Sequence, residues 1–353
     1  MEPVTHFLTG ACLGRAGLNR KTALATITLT LAAESPDIDI LWYFKGSTVG
    51  FAHHRGFTHT FLGIPVMAAF TIGVVWLVRW LFLKIRKGRG LQSRFPRPPI
   101  RWWLLYVYAC IALLSHLLLD FTNNYGLRPF APFNPTWYAW SIVFIVEPVL
   151  LAALTIGLIM PPLFGLISSE VGARQKAPRG RGWAIFALLM MVATWGVRDY
   201  EHRRALAAMD AVDYHGEQAI RKMASPYMIT LFRWSGVVET RDYLETVPVD
   251  SLTPEVDPQN KSVLYYKPPE SEVTLAAKKT LLGRVYLDWA MYPYVETEKL
   301  QPPEQGTVVR FSDLRFAYVE RNSKSPLGAC VILDSQLHEL SGGFRISNDQ
   351  CGD

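Results

Sequence analysis

Residues 61–83 run apolar with a single charge, Arg79. A run of this length constrains a fold more than any other feature of the chain. About 20 apolar residues cross a bilayer as a helix, and a segment in lipid must satisfy its own backbone hydrogen bonds. Five other apolar segments lie before residue 201, at roughly 5–18, 22–35, 102–120, 138–167 and 183–197. The breaks between them are basic. Residues 84–101 hold seven Lys or Arg and no acid, and residues 168–182 hold four against Glu170. From residue 201 onward Asp and Glu return in ordinary number. The expected fold is mainly α: a multi-pass helical membrane domain over residues 1–200, followed by a small soluble α/β domain over residues 201–353. The net charge of +6 comes mostly from the basic breaks. It therefore speaks for membrane topology and a bilayer partner, with no nucleic acid expected. Met1-Glu2-Pro3 lacks a basic region, so no cleavable signal peptide is expected.

Directly before the long run stands His53-His54-Arg55-Gly56-Phe57-Thr58-His59. The chain has eight histidines, so three within seven residues is a concentration. Imidazole binds first-row metals, and Gly56 lets the backbone turn so that separated side chains face one centre. The plain alternative is a polar loop capping a membrane helix. Further candidates follow along the chain. His6 lies in a first helix rich in small residues. Asp37 and Asp39 follow Pro36, which should stop the second apolar helix. His116 and Asp120 stand at i and i+4 and so share a helix face. Glu147 precedes Pro148.

The candidate ligands are thus His6, Asp37, Asp39, His54, His59, His116, Asp120 and Glu147. A structural zinc needs four ligands. Twice that number suggests two ions or more. Mixed His and carboxylate donors without thiolates suit Zn²⁺, with Mn²⁺ as the other choice, in a hydrolytic role. Paired ions bridged by carboxylates are the arrangement used for phosphoester hydrolysis.

These motifs, His6, Pro36-Asp37-Ile38-Asp39, His54-Arg55-Gly56-Phe57-Thr58-His59 and Ser115-His116 through Asp120 with Thr122 and Tyr125-Gly126, resemble the YdjM family of membrane-bound metal-dependent hydrolases. The resemblance covers residues 1 to about 160. The wider group is similar to zinc-dependent phospholipase C and single-strand nucleases, which implies a helical, multi-zinc phosphodiesterase. On this reading His116, Asp120, His59 and one of Asp37 or Asp39 hold the tightest metal, and His6, His54 and Glu147 complete a second. His54 is preferred to His53 because it alone sits in the His-Arg-Gly register. Metal-activated water is the nucleophile, and a carboxylate left uncoordinated, Glu147 among them, takes its proton. Arg55 either grips a phosphate through its planar fork or pairs with Asp37 or Asp39.

Loop charge gives the orientation. With both basic breaks inside, every candidate ligand falls at the outer face of a bacterial inner membrane. The C-terminal domain follows on the same side, against which Arg198, Arg203 and Arg204 speak. A site at that surface suits an amphiphilic phosphoester from a lipid or envelope precursor. The rival readings are a non-catalytic protein with a structural metal, or a metal-handling transporter; the spans hold few of the mid-bilayer charges a transporter needs. In the C-terminal domain β-like runs fall at 228–232, 237–243, 262–266, 308–316 and 329–333, and residues 278–290 read as helix or strand. His202, His215 and His338 have no ligand spacing and are expected to be structural. Cys330 and Cys351 either pair, in an oxidising compartment, or remain free thiols.

Overall fold

The structure, a computed structural model, describes residues 1–88, 98–170, 180–301, 306–318 and 325–345. Half of the first basic break and most of the second therefore lie outside the described residues. The chain divides into two compact units. One comprises Met1–Asp39, Arg55–Trp140 and Ile145–Val197; the other comprises Ile40–His54, Ser141–Phe144 and Arg198–Asp353.

The first unit is helical. Helices α1 (Pro3–Arg15) and α2 (Ala25–Glu34) lie against each other, and α2 packs on α4 (Gly63–Gly88) and α5 (Trp102–Thr122). Small residues set the α1–α2 approach. A Cβ on Gly10 would stand 2.6 Å from the Leu29 carbonyl oxygen, and one on Gly14 would stand 2.7 Å from Thr26 Cα. Such closeness is what glycine permits between helices in lipid. Leu29, Ala32 and Ala33 of α2 then meet Ala68 of α4 and Leu105, Ala109 and Leu113 of α5 in one buried cluster. Glu34 is the last residue of α2, and a 3₁₀ helix, Ser35–Lys45, carries the chain through Pro36. The proline ends the α-helix because its ring and missing N–H are incompatible with an interior position.

Two helices are long and apolar enough to cross a membrane, Gly63–Ile85 and Trp102–Thr122, and a shorter apolar helix covers Pro148–Phe164. Two expected spans differ from this. No helix forms over residues 138–147; α6 begins at Pro148 and runs Pro148–Glu170. A residue before proline is pushed out of the helical region, and proline itself suits a first helical turn, so the Glu147-Pro148 step is a start and not an interruption. The expected final span at 183–197 is part of a longer helix, α7 (Arg181–Asp210), which runs unbroken beyond the apolar segment.

The second unit carries two antiparallel sheets. In the first, β1 (Arg221–Pro226), β2 (Arg233–Glu239), β3 (Tyr243–Asp250) and β4 (Glu255–Val256) lie in sequence order, and β5 (Val263–Tyr266) also pairs with β3. Ala205, Ala208 and Met209 at the end of α7 bury Trp234, Val238 and Val247 of this sheet. The second sheet is a meander of β6 (Pro293–Lys299), β7 (Thr307–Asp313), β8 (Gly328–Leu333) and β9 (Glu339–Arg345). Two helices, α8 (Glu272–Lys279) and α9 (Leu281–Trp289), pack on it, as does α3 (Ser47–His53) through Phe51, which meets Trp289 and Phe344. Residues 278–290 are therefore mostly helical. Residues 228–232 are the turn between β1 and β2, and the run 237–243 straddles the next turn. Only antiparallel neighbours occur among the described strands, so this is not an alternating α/β sheet. Cys330 is disulfide-bonded, whereas Cys12 and Cys110 are free thiols; Cys351 lies outside the described residues.

Candidate metal centre

Helix α5 supplies His116 and Asp120 from successive turns, both buried. His116 Nδ1 lies 2.7 Å from the carbonyl oxygen of Ala33, in the last turn of α2. A carbonyl only accepts, so Nδ1 carries a proton, and in the neutral ring Nε2 keeps the lone pair. The 3₁₀ turn that Pro36 starts then presents Asp37. Its Oδ1 lies 3.6 Å from His116 Nε2 and 3.3 Å from His59 Nε2.

His59 ends a short 3₁₀ turn, Phe57–His59, and is fully buried. Its Nδ1 lies 3.0 Å from Thr58 Oγ1 and 3.3 Å from Asp39 Oδ2. In the neutral ring the carboxylate fixes the proton on Nδ1, and the Nε2 lone pair turns to His116 Nε2, 3.1 Å away. Asp120 Oδ2 stands 3.5 Å from each of these two nitrogens. Two imidazole lone pairs and two carboxylate oxygens therefore face one point. Such a group repels itself without a cation, and a proton or a divalent metal meets the need. A proton answers part of that need. Burial alone would push His59 down, but the Asp37 and Asp39 carboxylates outweigh it and hold the imidazole above its ordinary value of 6.5. Burial likewise opposes ionisation of Asp37, yet His59, His116 and His6 bring it down to about 2.

His6 arrives from α1 and stacks on His116 with ring centroids 3.8 Å apart. It is buried, and neither ring nitrogen has a hydrogen-bond partner among the described residues. Its Nε2 lies 3.5 Å from Asp120 Oδ1. A buried imidazole left without a hydrogen bond is unfavourable in a plain core and apt in a ligand. The donors thus form two overlapping triads, His6–His116–Asp120 and Asp37–His59–His116, each with its ligand atoms within 4.8 Å of one another.

Arg55 takes neither of its expected roles outright. Nη2 donates to Asp120 Oδ1 at 2.8 Å and Nη1 to the Gly126 carbonyl at 2.6 Å, while the guanidinium lies 4.7 Å from the Tyr125 ring centre. Its ion pair is with Asp120, not Asp37 or Asp39. Its backbone N–H donates to Asp39 Oδ2 at 2.7 Å. The left-handed residue of the motif is Arg55, at φ 52°, and not Gly56, at φ −79°. The Met1 α-amino group also contacts Asp120 Oδ1.

Asp39, His54 and Glu147 belong to neither triad. Asp39 stands behind His59, where it orients the ring. His54 falls in the other unit, beyond the point where the chain turns at Arg55. Glu147 is buried one residue ahead of α6. Sequence reasoning did not single out Asn123, whose Oδ1 accepts from the Tyr125 N–H at 2.8 Å and whose Nδ2 lies 3.5 Å from Asp120 Oδ1. Its spacing of three from Asp120 on the same helix end was the available signal. His202, as expected, is structural, with Nε2 3.1 Å from the Ala224 carbonyl oxygen.

Two helices are long and apolar enough to cross a membrane, and the imidazoles and carboxylates form groups that could hold a metal ion. Residues 1–205, more than half of the chain, match the family described as YdjM inner membrane protein, and the chain belongs to that family. All eight candidate ligands fall within the match. The chain is also similar to the uncharacterized protein YfhP of Bacillus subtilis, 27% identical over 156 residues. That alignment covers 42% of each chain, so less than half of the relative's length is spanned. No solved structure matches the chain.

Proposed function

We propose that the protein is a metal-dependent hydrolase of the inner membrane, acting on a phosphoester of a lipid or envelope-related substrate. The observation that carries this reading is the convergence of the His59 and His116 Nε2 atoms with Asp37 Oδ1 and Asp120 Oδ2. A divalent ion in such a donor set, Zn²⁺ first and Mn²⁺ second, supplies a Lewis acid that makes water a nucleophile near neutral pH. The chain's own residues do the rest. Asp39 and the Ala33 carbonyl orient the two imidazoles, as outer partners of metal-binding histidines do. Arg55 holds Asp120 and keeps its carboxylate aimed inward.

The donors favour one ion, not two. The triads share His116, whose Nδ1 is committed to Ala33, and one lone pair serves one ion. His6 then stands as a fifth donor or as the group nearest an incoming substrate. Arg203 lies 2.8 Å from Asp199, Arg204 lies 3.5 Å from Glu201, and Arg198 is buried; acidic neighbours do little to offset Lys and Arg in setting topology, so these arginines still speak against an outer-face C-terminal domain. The five donors around one ion also favour a second reading, a structural metal that pins α1, α2 and α5.

The test is metal analysis of the full-length protein purified without chelator, with a panel of phosphomonoesters and phosphodiesters. The proposal expects one zinc or manganese per chain and hydrolysis that Asp120→Asn abolishes. Bound metal with no turnover on any ester would leave the structural reading. Absence of metal after loading with either ion would remove both.

A further inference from the structure

The second unit holds a cavity of about 380 Å³ at the β1–β2 turn, within the size range of small-molecule sites. Its walls are aromatic. Tyr318 stands 5.0 Å from Tyr227 and 6.1 Å from Phe144, ring centre to ring centre, and its hydroxyl is fixed by donating to the Pro226 carbonyl at 3.0 Å. Met228 and Ile229 form the rim and are 40% and 78% exposed. The turn itself is rigidly held. The buried Arg198 donates to the carbonyls of Thr230 at 2.8 Å and Tyr227 at 3.3 Å.

Besides the tyrosines, the polar residues of the lining are Thr230 and Arg233. Thr230 lines the cavity, and its Oγ1 is buried with no hydrogen-bond partner among the described residues. Tyr227 and Arg233 are shared with a second cavity of about 200 Å³, which Lys261 and Asp250 also line. Neither the Arg233 nor the Lys261 side chain has an ion-pair or hydrogen-bond partner among the described residues, whereas Asp250 Oδ1 accepts from the Leu252 N–H at 2.8 Å. Two cations against one carboxylate leave the charged lining of the second cavity at +1, which matches a monoanion and not a doubly charged phosphate.

We propose that this cleft binds a long-chain carboxylate, with its alkyl chain among Tyr227, Tyr318 and Phe144 and its head group against Arg233, Lys261 and the Thr230 hydroxyl. The source is the bilayer. Arg198, which bolts the turn in place, is the next residue after the apolar segment that ends at Val197. The apolar Met228 and Ile229 at the rim suit entry of a chain from a lipid surface. This inference does not rest on the metal centre, and metal content is a separate readout.

The experiment uses the full-length protein in lipid nanodiscs with a diazirine-bearing hexadecanoate, and maps the crosslinks by mass spectrometry. Labelling should concentrate on residues 227–230 and Tyr318, and hexadecanoate should compete for it while hexadecylammonium does not. Arg233→Glu should lower the labelling about fivefold, the scale of losing an exposed charge pair, and Arg233→Lys should restore most of it. Labelling spread evenly over the unit, equal competition by the cationic amphiphile, or no change in Arg233→Glu would each overturn the proposal. Stronger competition by hexadecyl phosphate would overturn its assignment to a carboxylate.

Discussion

In the sheet-bearing unit Asp313 and Arg315 are both fully buried, and they close on each other. Asp313 Oδ2 accepts from Arg315 Nε at 2.8 Å and from the Met291 N–H at 2.8 Å, Oδ1 accepts from the Arg315 N–H at 3.0 Å, and the guanidinium lies 4.7 Å from the Trp289 ring centre. One positive and one negative group, each with its donors and acceptors filled, is what a buried ion pair needs to be tolerated. The helical unit buries Asp39 and Asp120, with Asp37 half-buried, beside three imidazoles and treats them differently. Arg55 and the Met1 amino group meet Asp120 at Oδ1 only. Oδ2, with Asp37 Oδ1, is turned instead toward two nitrogen lone pairs. The pair in the sheet is complete within the chain, whereas the cluster between the helices leaves donor atoms turned toward one another that could hold a metal ion.

That contrast is broken most directly by neutralising one carboxylate in each unit. Asp120→Asn should abolish metal retention and lower activity by ~10² or more while the fold persists, because outer partners of a metal site alone are worth 10–100-fold and Asp120 is placed as a ligand. Asp313→Asn should leave metal content unchanged and lower stability by roughly 3–5 kcal/mol, since it leaves Arg315 buried without its counter-charge. Metal analysis and thermal unfolding of both variants check the pair. Equal loss of stability with unchanged metal in both would make the helical cluster another closed salt bridge.

The two regions also differed in what could be read from them beforehand. The site motifs were legible because imidazoles and carboxylates beside lipid-length apolar runs have few structural uses, and because helix spacing puts His116 and Asp120 on one face. Which of the eight candidates touch could not be read. Asp37 and Asp39 differ by two residues, and only the 3₁₀ path after Pro36 decides that Asp37 faces His116 while Asp39 backs His59. His54 and His59 lie on opposite sides of the left-handed residue Arg55, so the same motif sends them to different units. In the sheet region β7 and β8 were legible as apolar runs. Strands β3, β6 and β9 were not, because Glu245, Pro248, Glu296, Glu298, Gly342 and Gly343 interrupt their pattern and cross-strand pairing overrides it.

Asp39→Asn sharpens the comparison at the next scale down. Asp39 lies 3.3 Å from His59 Nδ1 and accepts from the Arg55 N–H, so on the proposed reading it positions His59 from behind. The amide side chain keeps the shape but loses the charge that favours the Nδ1 proton. Metal affinity should fall about 10–100-fold, and excess zinc should restore both occupancy and turnover. Failure of excess zinc to restore occupancy would place Asp39 among the ligands themselves.

Gly10→Ala tests the scaffold that brings His6 to His116. The added Cβ meets Leu29 O at 2.6 Å and Thr30 Cα at 2.8 Å, both backbone atoms that cannot swing aside. Overpacking of this kind costs about 1–3 kcal/mol. Thermal unfolding should show that loss, and metal affinity should fall with it as His6 is displaced. The sheet-region counterpart is Gly236→Ala, whose Cβ meets the Met209 Cε and Val247 Cγ2 atoms, each at 2.8 Å; both are side-chain atoms and not backbone, so the loss should be milder. A larger loss at Gly236 than at Gly10 would place the tighter packing in the sheet region.

The smallest effect is a slope against pH, and its sign separates a proton from a metal. In the metal-free protein His59 is held above its ordinary value of 6.5, against burial, by Asp37 and Asp39. A raised folded value means that the imidazolium's stabilisation is fully present below the unfolded value of about 6.5 and is lost as pH rises through the folded one. Asp37, brought down to about 2 from 3.8, contributes in the other direction: its share is present above the unfolded value and is lost as pH falls toward about 2. Metal-free protein should therefore be most stable between about pH 4 and 6.5 and should weaken toward alkaline pH as far as this cluster is concerned. A divalent ion takes the place of the proton, so metal affinity should rise with pH and the alkaline decline should vanish on loading. Unfolding temperatures of metal-free and zinc-loaded protein between about pH 5 and 9 check this, with Asp37→Asn expected to flatten the metal-free slope. Parallel slopes with and without zinc would mean that the ion, if bound, sits away from His59.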